Sequence, residues 1–70
     1  MITTKEIQHK IMEAIKYSGM TQTEIAKNLN IKQQTISKYL LGQALPSLDT
    51  LANLCVLLDL DANDILCIKK

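Results

Sequence analysis

The side chains capable of covalent or metal chemistry are few, and their spacing does not suit it. His9 is the only histidine, Cys55 and Cys67 are the only cysteines, and no C-x-x-C pair occurs. Neither a metal site nor a catalytic set is therefore expected, no phosphate-cradling glycine loop is present, and no cofactor is implied. Cys55 falls in an apolar helical pattern and reads as a packing residue, whereas Cys67, close to the C-terminus, is expected to be an exposed free thiol. The chain instead concentrates hydrogen-bonding chemistry between residues 20 and 43. Amides stand at Gln22, Gln33, Gln34 and Gln43, ammonium groups at Lys27, Lys32 and Lys38, and hydroxyls at Thr21, Thr35 and Ser37. An amide offers a donor and an acceptor side by side, which matches N6 and N7 of adenine. A lysine donates to guanine O6 and N7. The same residue types are also good helix formers on any wet face, so the elements that carry them decide.

Charge is distributed unevenly. Residues 1–42 hold six Lys and three Glu, a balance of +3, and residues 43–70 hold two Lys and four Asp, a balance of −2. The net charge of +1 says little about partners, but its distribution makes the N-terminal part the better candidate for a polyanion. Arginine, the usual bidentate guanine reader, is absent. With 47% hydrophobic residues, two Gly, one Pro and no aromatics beyond Tyr17 and Tyr39, the 70 residues predict one compact, aliphatic-cored helical domain spanning 1–70. Apolar runs are too short to cross a bilayer, and no signal peptide is evident after Met1, so a cytoplasmic protein away from membranes is expected.

The pattern predicts five helices and no strand. Helix 1 is expected from about Lys5 to Ser18, opened by a capping box of Thr3 and Glu6, with Ile7, Ile11, Ala14 and Ile15 inward and Gly19 as its stop. Thr21 and Glu24 form a second capping box, so helix 2 spans about Gln22 to Leu29, with Ile25, Ala26 and Leu29 inward. Asn30 suits a left-handed turn. Helix 3 covers about Gln33 to Leu41, with Ile36, Tyr39 and Leu40 inward and Gly42 closing it. Pro46 keeps Leu45 out of helix. Ser47 is expected to cap helix 4, about Leu48 to Leu58, burying Leu48, Leu51, Leu54, Cys55 and Leu58. Asp59 again suits left-handed geometry, and Asp61 caps a short helix 5 from Ala62 to about Leu66.

Two short helices joined by a tight turn, the second polar and glutamine-rich on its outer face, look like a helix-turn-helix. Thr21-Gln22, Glu24-Ile25-Ala26, Leu29, Ile36-Ser37, Gly42, Pro46-Ser47 and the helix 4 leucines stand at matching, ungapped positions. Over residues 20 to 66 the chain resembles the helix-turn-helix family of phage repressor and Cro proteins, the xenobiotic-response-element type. The resemblance implies an all-α, lambda-repressor-like fold and a bacterial or phage-encoded protein that binds double-stranded DNA. It implies base-edge contacts from Gln33, Gln34 and Lys38, with Lys32 able to reach base or phosphate. Phosphate contacts are implied for Thr21, Gln22, Lys27, Thr35 and Gln43. Departures from the family pattern are Asn30 and Asp59 in place of glycines, Leu41 in place of an Asn, and Ile15 with Leu40 where an Arg–Glu pair often stands. That last exchange implies a hydrophobic contact in place of an ion pair. The loop Gln43-Ala44-Leu45 lacks the basic residues common there.

Val56, Leu57, Leu66, Cys67 and Ile68 exceed what the core pattern needs. Val56, Leu57, Leu66 and Ile68 are the expected homodimer interface, which would set two recognition helices about 34 Å apart on a palindromic site. The leading expectation is a transcriptional regulator, more specifically a repressor, because no activation or ligand domain is visible. The alternative is an antitoxin or anti-repressor whose C-terminal apolar patch holds a protein partner. An enzyme is not expected.

Overall fold

The computed structural model describes residues 1–68. Five helices follow in chain order: α1 Thr4–Lys16, α2 Gln22–Leu29, α3 Gln33–Leu40, α4 Leu48–Leu58 and α5 Ala62–Ile65. There is no strand among the described residues, and none of their helices is long and apolar enough to cross a membrane. α2 and α3 pack on each other, α1 packs on α3 and α5, and α4 packs on α2. Ile11 and Ile15 from α1, Ile25 and Ala26 from α2, Ile36 and Tyr39 from α3, Leu54 and Cys55 from α4 and Ile65 from α5 form the buried core. This is the expected all-α, lambda-repressor-like arrangement.

The helix starts are local hydrogen-bond chemistry. At α2 the capping box is complete: the Glu24 N–H donates to Thr21 Oγ1 at 3.1 Å, and the Thr21 N–H donates to Glu24 Oε1 at 3.0 Å. At α1 only half of the box forms, because the Glu6 carboxylate accepts from the Thr3 hydroxyl rather than from its N–H. Ser47 holds the N-cap position of α4 but makes no cap bond. Its hydroxyl instead donates to Asp49 Oδ1 at 2.6 Å and pairs with the Thr50 hydroxyl. Asp61 caps α5 through the Asn63 N–H, as expected.

α2, α3, α4 and α5 all end in one geometry. A residue with positive φ follows each helix: Asn30, Gly42, Asp59 and Cys67. The next N–H then reaches back to the helical carbonyl five residues before it, as in Ile31 to Ala26, Gln43 to Lys38, Leu60 to Cys55 and Ile68 to Asn63. This closure ends α3 at Leu40, one residue before the expected Leu41. It also draws Ile31 and Leu60 onto the core, since the residue after the left-handed one commonly packs back on its helix. Helix 1 stops at Lys16 rather than Ser18, because the Ser18 hydroxyl donates to the Ile15 carbonyl at 2.8 Å and accepts from the Met20 N–H.

Three expectations are corrected. Leu48 is 86% exposed, not buried: it lies in the first turn of α4, beyond the part of the helix that covers the core. Cys67 is half-buried rather than exposed. Leu57 is not surplus, since it packs partly against the core. Cys55 is buried as expected, and its thiol is pushed up by desolvation and by the charge of Asp61.

Candidate nucleic-acid interface

α3 sorts its side chains by face. Ile36 and Tyr39 are buried and Leu40 packs against the core, which anchors the helix on α1 and α2. Burial, then the charge of Asp49, raises the Tyr39 phenol, so it stays protonated and neutral in the core. Opposite them Gln33, Gln34 and Lys38 are exposed, and Lys32 is exposed at the N-cap. At 100° per residue, positions 33, 34, 37, 38 and 41 fall within one 140° sector. The structure therefore presents all three expected base readers on one face, with Lys32 at its leading end. Thr35 is half-buried at the edge of this face.

The start of α3 is chemically unusual for a helix end. Lysine has no acceptor and cannot cap, and no side-chain cap bond forms there. No acidic residue stands in the first turn. The positive end of the helix dipole and the Lys32 ammonium therefore coincide, a local arrangement that favours an anion. Uncapped termini cost a helix about 1 kcal/mol. A locally unfavourable start beside an exposed amide pair is where binding chemistry is expected to override helix preference.

α2 contributes the second row. Gln22 is its first residue, half-buried, and its Oε1 accepts from the Ser37 hydroxyl at 2.7 Å. Lys27 and Gln43 are exposed. Thr21 is exposed, but its hydroxyl oxygen is already engaged by the Glu24 N–H. Hydrogen bonds from the Thr21 backbone and then its hydroxyl hold the Glu24 carboxyl below its ordinary range. A depressed folded-state pKa contributes stability that is complete above the unfolded value, about 4.3, and is lost as pH falls through the folded one. The melting-temperature advantage of the wild type over Glu24→Gln should thus be constant from about pH 7 to 5 and shrink below about pH 4. A difference independent of pH would show that the charged box contributes nothing.

Two features of these residues lie beyond type and spacing. Ser37 turns out to bind Gln22, a contact made only by packing α2 on α3. Leu41, 66% exposed, lies on the same sector as Gln33, Gln34 and Lys38. At the other end of the expected site, Val56 is 82% exposed and Ile68 53% exposed, while Leu66 is half-buried. Val56 and Leu57 line one cleft together with Asn28, Leu29 and Asn30 at the end of α2, whereas Cys67 lines another together with Lys5, Gln8 and Met12 of α1. α5 docks on α1, where Lys10 Nζ lies 3.5 Å from Asp64 Oδ1. Among the described residues no group of His, Cys, Asp and Glu is placed to hold a metal ion.

A helix-turn-helix family model matches residues 11–65, which takes in α2 to α5 and the C-terminal half of α1. No curated protein and no solved structure matches the chain.

Proposed function

The chain belongs to this helix-turn-helix family, the Cro/C1 type, whose domains bind DNA and are not enzymes, and from that premise we propose that it is a transcriptional repressor. It binds a palindromic operator as a homodimer, with α3 in the major groove. Gln33, Gln34 and Lys38 read base edges, and Lys32 contacts base or phosphate. Gln22, Lys27, Thr35 and Gln43 grip phosphates, with Thr21 fixing the start of α2 beside them. The observation that carries this reading is the exposed Gln33-Gln34-Lys38 face, free of acidic residues and opposed to a buried Ile36-Tyr39 face on the same helix. Repression by occupancy needs no surface beyond the one that holds DNA.

Selection of binding sites from random duplex DNA, followed by titration at several salt concentrations, tests it. A recovered inverted repeat and a logarithmic affinity that falls linearly with the logarithm of salt are expected. No enrichment above random sequence would overturn it.

The exposed Val56 and Ile68 side chains support the dimer. Ile68→Asp should shift dimer toward monomer in sedimentation equilibrium, with helicity kept, because the Ile68 N–H bond to the Asn63 carbonyl is a backbone bond. Operator affinity should fall accordingly, since each half-site then binds alone. A wild type that stays monomeric at high micromolar concentration, with and without operator, would instead favour the alternative: an antitoxin or anti-repressor whose C-terminal apolar residues hold another protein.

A further inference from the structure

Resting on the DNA-binding reading above, we propose that Ser37 is a positioning residue that orients the Gln22 amide as a phosphate donor and locks that grip to the recognition helix. The Ser37 hydroxyl donates to Gln22 Oε1 at 2.7 Å across the α2–α3 packing, and both side chains are half-buried. A carboxamide is planar, with its oxygen and nitrogen on opposite sides of the carbon. Once the oxygen is held by a donor, the NH2 group is turned away from that donor and its two protons remain for an outside acceptor. A long, flexible side chain otherwise loses rotamer freedom on binding. Holding Gln22 in place beforehand removes part of that cost.

Ser37 is well placed for this task. It directly follows Ile36, a fully buried anchor, and it lies one turn from Gln33 on the reading sector. A second long-range side-chain hydrogen bond, from Gln8 Nε2 to the Gly42 carbonyl at 3.3 Å, ties α1 to the turn after α3. The Ser37–Gln22 bond ties the first residue of α2 to the middle of α3. The phosphate grip and the base-reading face are therefore joined by a direct bond, while the grip itself touches no base.

The consequences differ from those of a base reader and from those of a lysine. Ser37→Ala should weaken binding by about two- to tenfold, the range of one neutral hydrogen bond. The loss should be equal on operator and random duplex, because phosphate contacts carry no sequence information. The salt dependence should be unchanged, because a neutral amide releases no counterion. Ser37→Thr, which keeps the hydroxyl, should restore most of the affinity.

A double-mutant cycle decides the mechanism. Fluorescence titrations of wild type, Gln22→Ala, Ser37→Ala and the double variant are measured on operator and on random duplex, with thermal melts alongside. The double variant is expected to bind no more weakly than Gln22→Ala alone. Additive losses, or a Ser37→Ala variant that binds like the wild type, would overturn the positioning role while leaving the DNA-binding reading intact. A wild type that binds no duplex at low salt would overturn both.

Discussion

Replacing Ile36 with alanine is expected to cost about 2–5 kcal/mol of folding stability, which is a large share of what a chain of this length has. At roughly 0.05–0.15 kcal/mol per residue, its total stability is about 4–10 kcal/mol. Ile36 is completely buried on α3 and meets a core made of α1, α2, α4 and α5 side chains. Among the described residues no charged side chain is buried in that core. The loss is therefore lost burial plus an incompletely collapsed void. DNA affinity should fall on operator and random duplex together, because the folded population falls. Leu48→Ala is the matched control. Leu48 reads as core from its helical spacing, yet its exposure makes a change within about 0.5 kcal/mol the expected result. Urea unfolding followed by circular dichroism compares the two. A small effect at Ile36, or a large one at Leu48, would show that the buried anchor of α3 has been assigned to the wrong residues.

The contrast between Ile36 and Leu48 shows where sequence is informative and where it stops. Helix existence was legible because the local signals agreed: the Thr21–Glu24 capping box, Asn30, Gly42 and Asp59 after helix ends, and Pro46 before α4. Each of those acts within a few residues. Cys67 was not legible as a helix-closing residue, because cysteine has no special tolerance for positive φ, and only the Ile68-to-Asn63 bond reveals the role. Leu48 has the right helical angle but lies in the first turn of α4, and angle alone cannot say how far a neighbouring helix extends. Ile31, Leu60 and Ile65 join the core through turn closure and through the docking of α5 on α1, both of which depend on tertiary geometry. The same division holds at the interface. The common polar face of Gln33, Gln34 and Lys38 follows from residue type and period, and their expected part in base readout from the family resemblance. The hydroxyl of Ser37 on Gln22 joins residues fifteen apart and needed the packed structure.

The proposed reading face makes the second large prediction. Gln33→Ala or Gln34→Ala should cost about 1–3 kcal/mol on the cognate operator, a loss of roughly five- to 150-fold, while binding to random duplex barely changes. Both glutamines are exposed at the start of α3, so truncating either removes no core contact and stability should hold within about 0.5 kcal/mol. The loss arises in the complex. A glutamine amide can satisfy both N6 and N7 of an adenine, and a methyl group leaves that edge without a partner after its water has been displaced. Lys38→Ala should behave differently. If its ammonium reads a guanine edge, specificity at that base relaxes; a phosphate contact instead weakens every sequence alike and lowers the salt slope by about one. Measuring each variant on the selected operator, on single-base variants of it and on random duplex separates these outcomes. Equal losses on cognate and random DNA for Gln33→Ala and Gln34→Ala would remove both from base readout. Sequence preference would then have to come from DNA shape, sensed through the phosphate grip of α2.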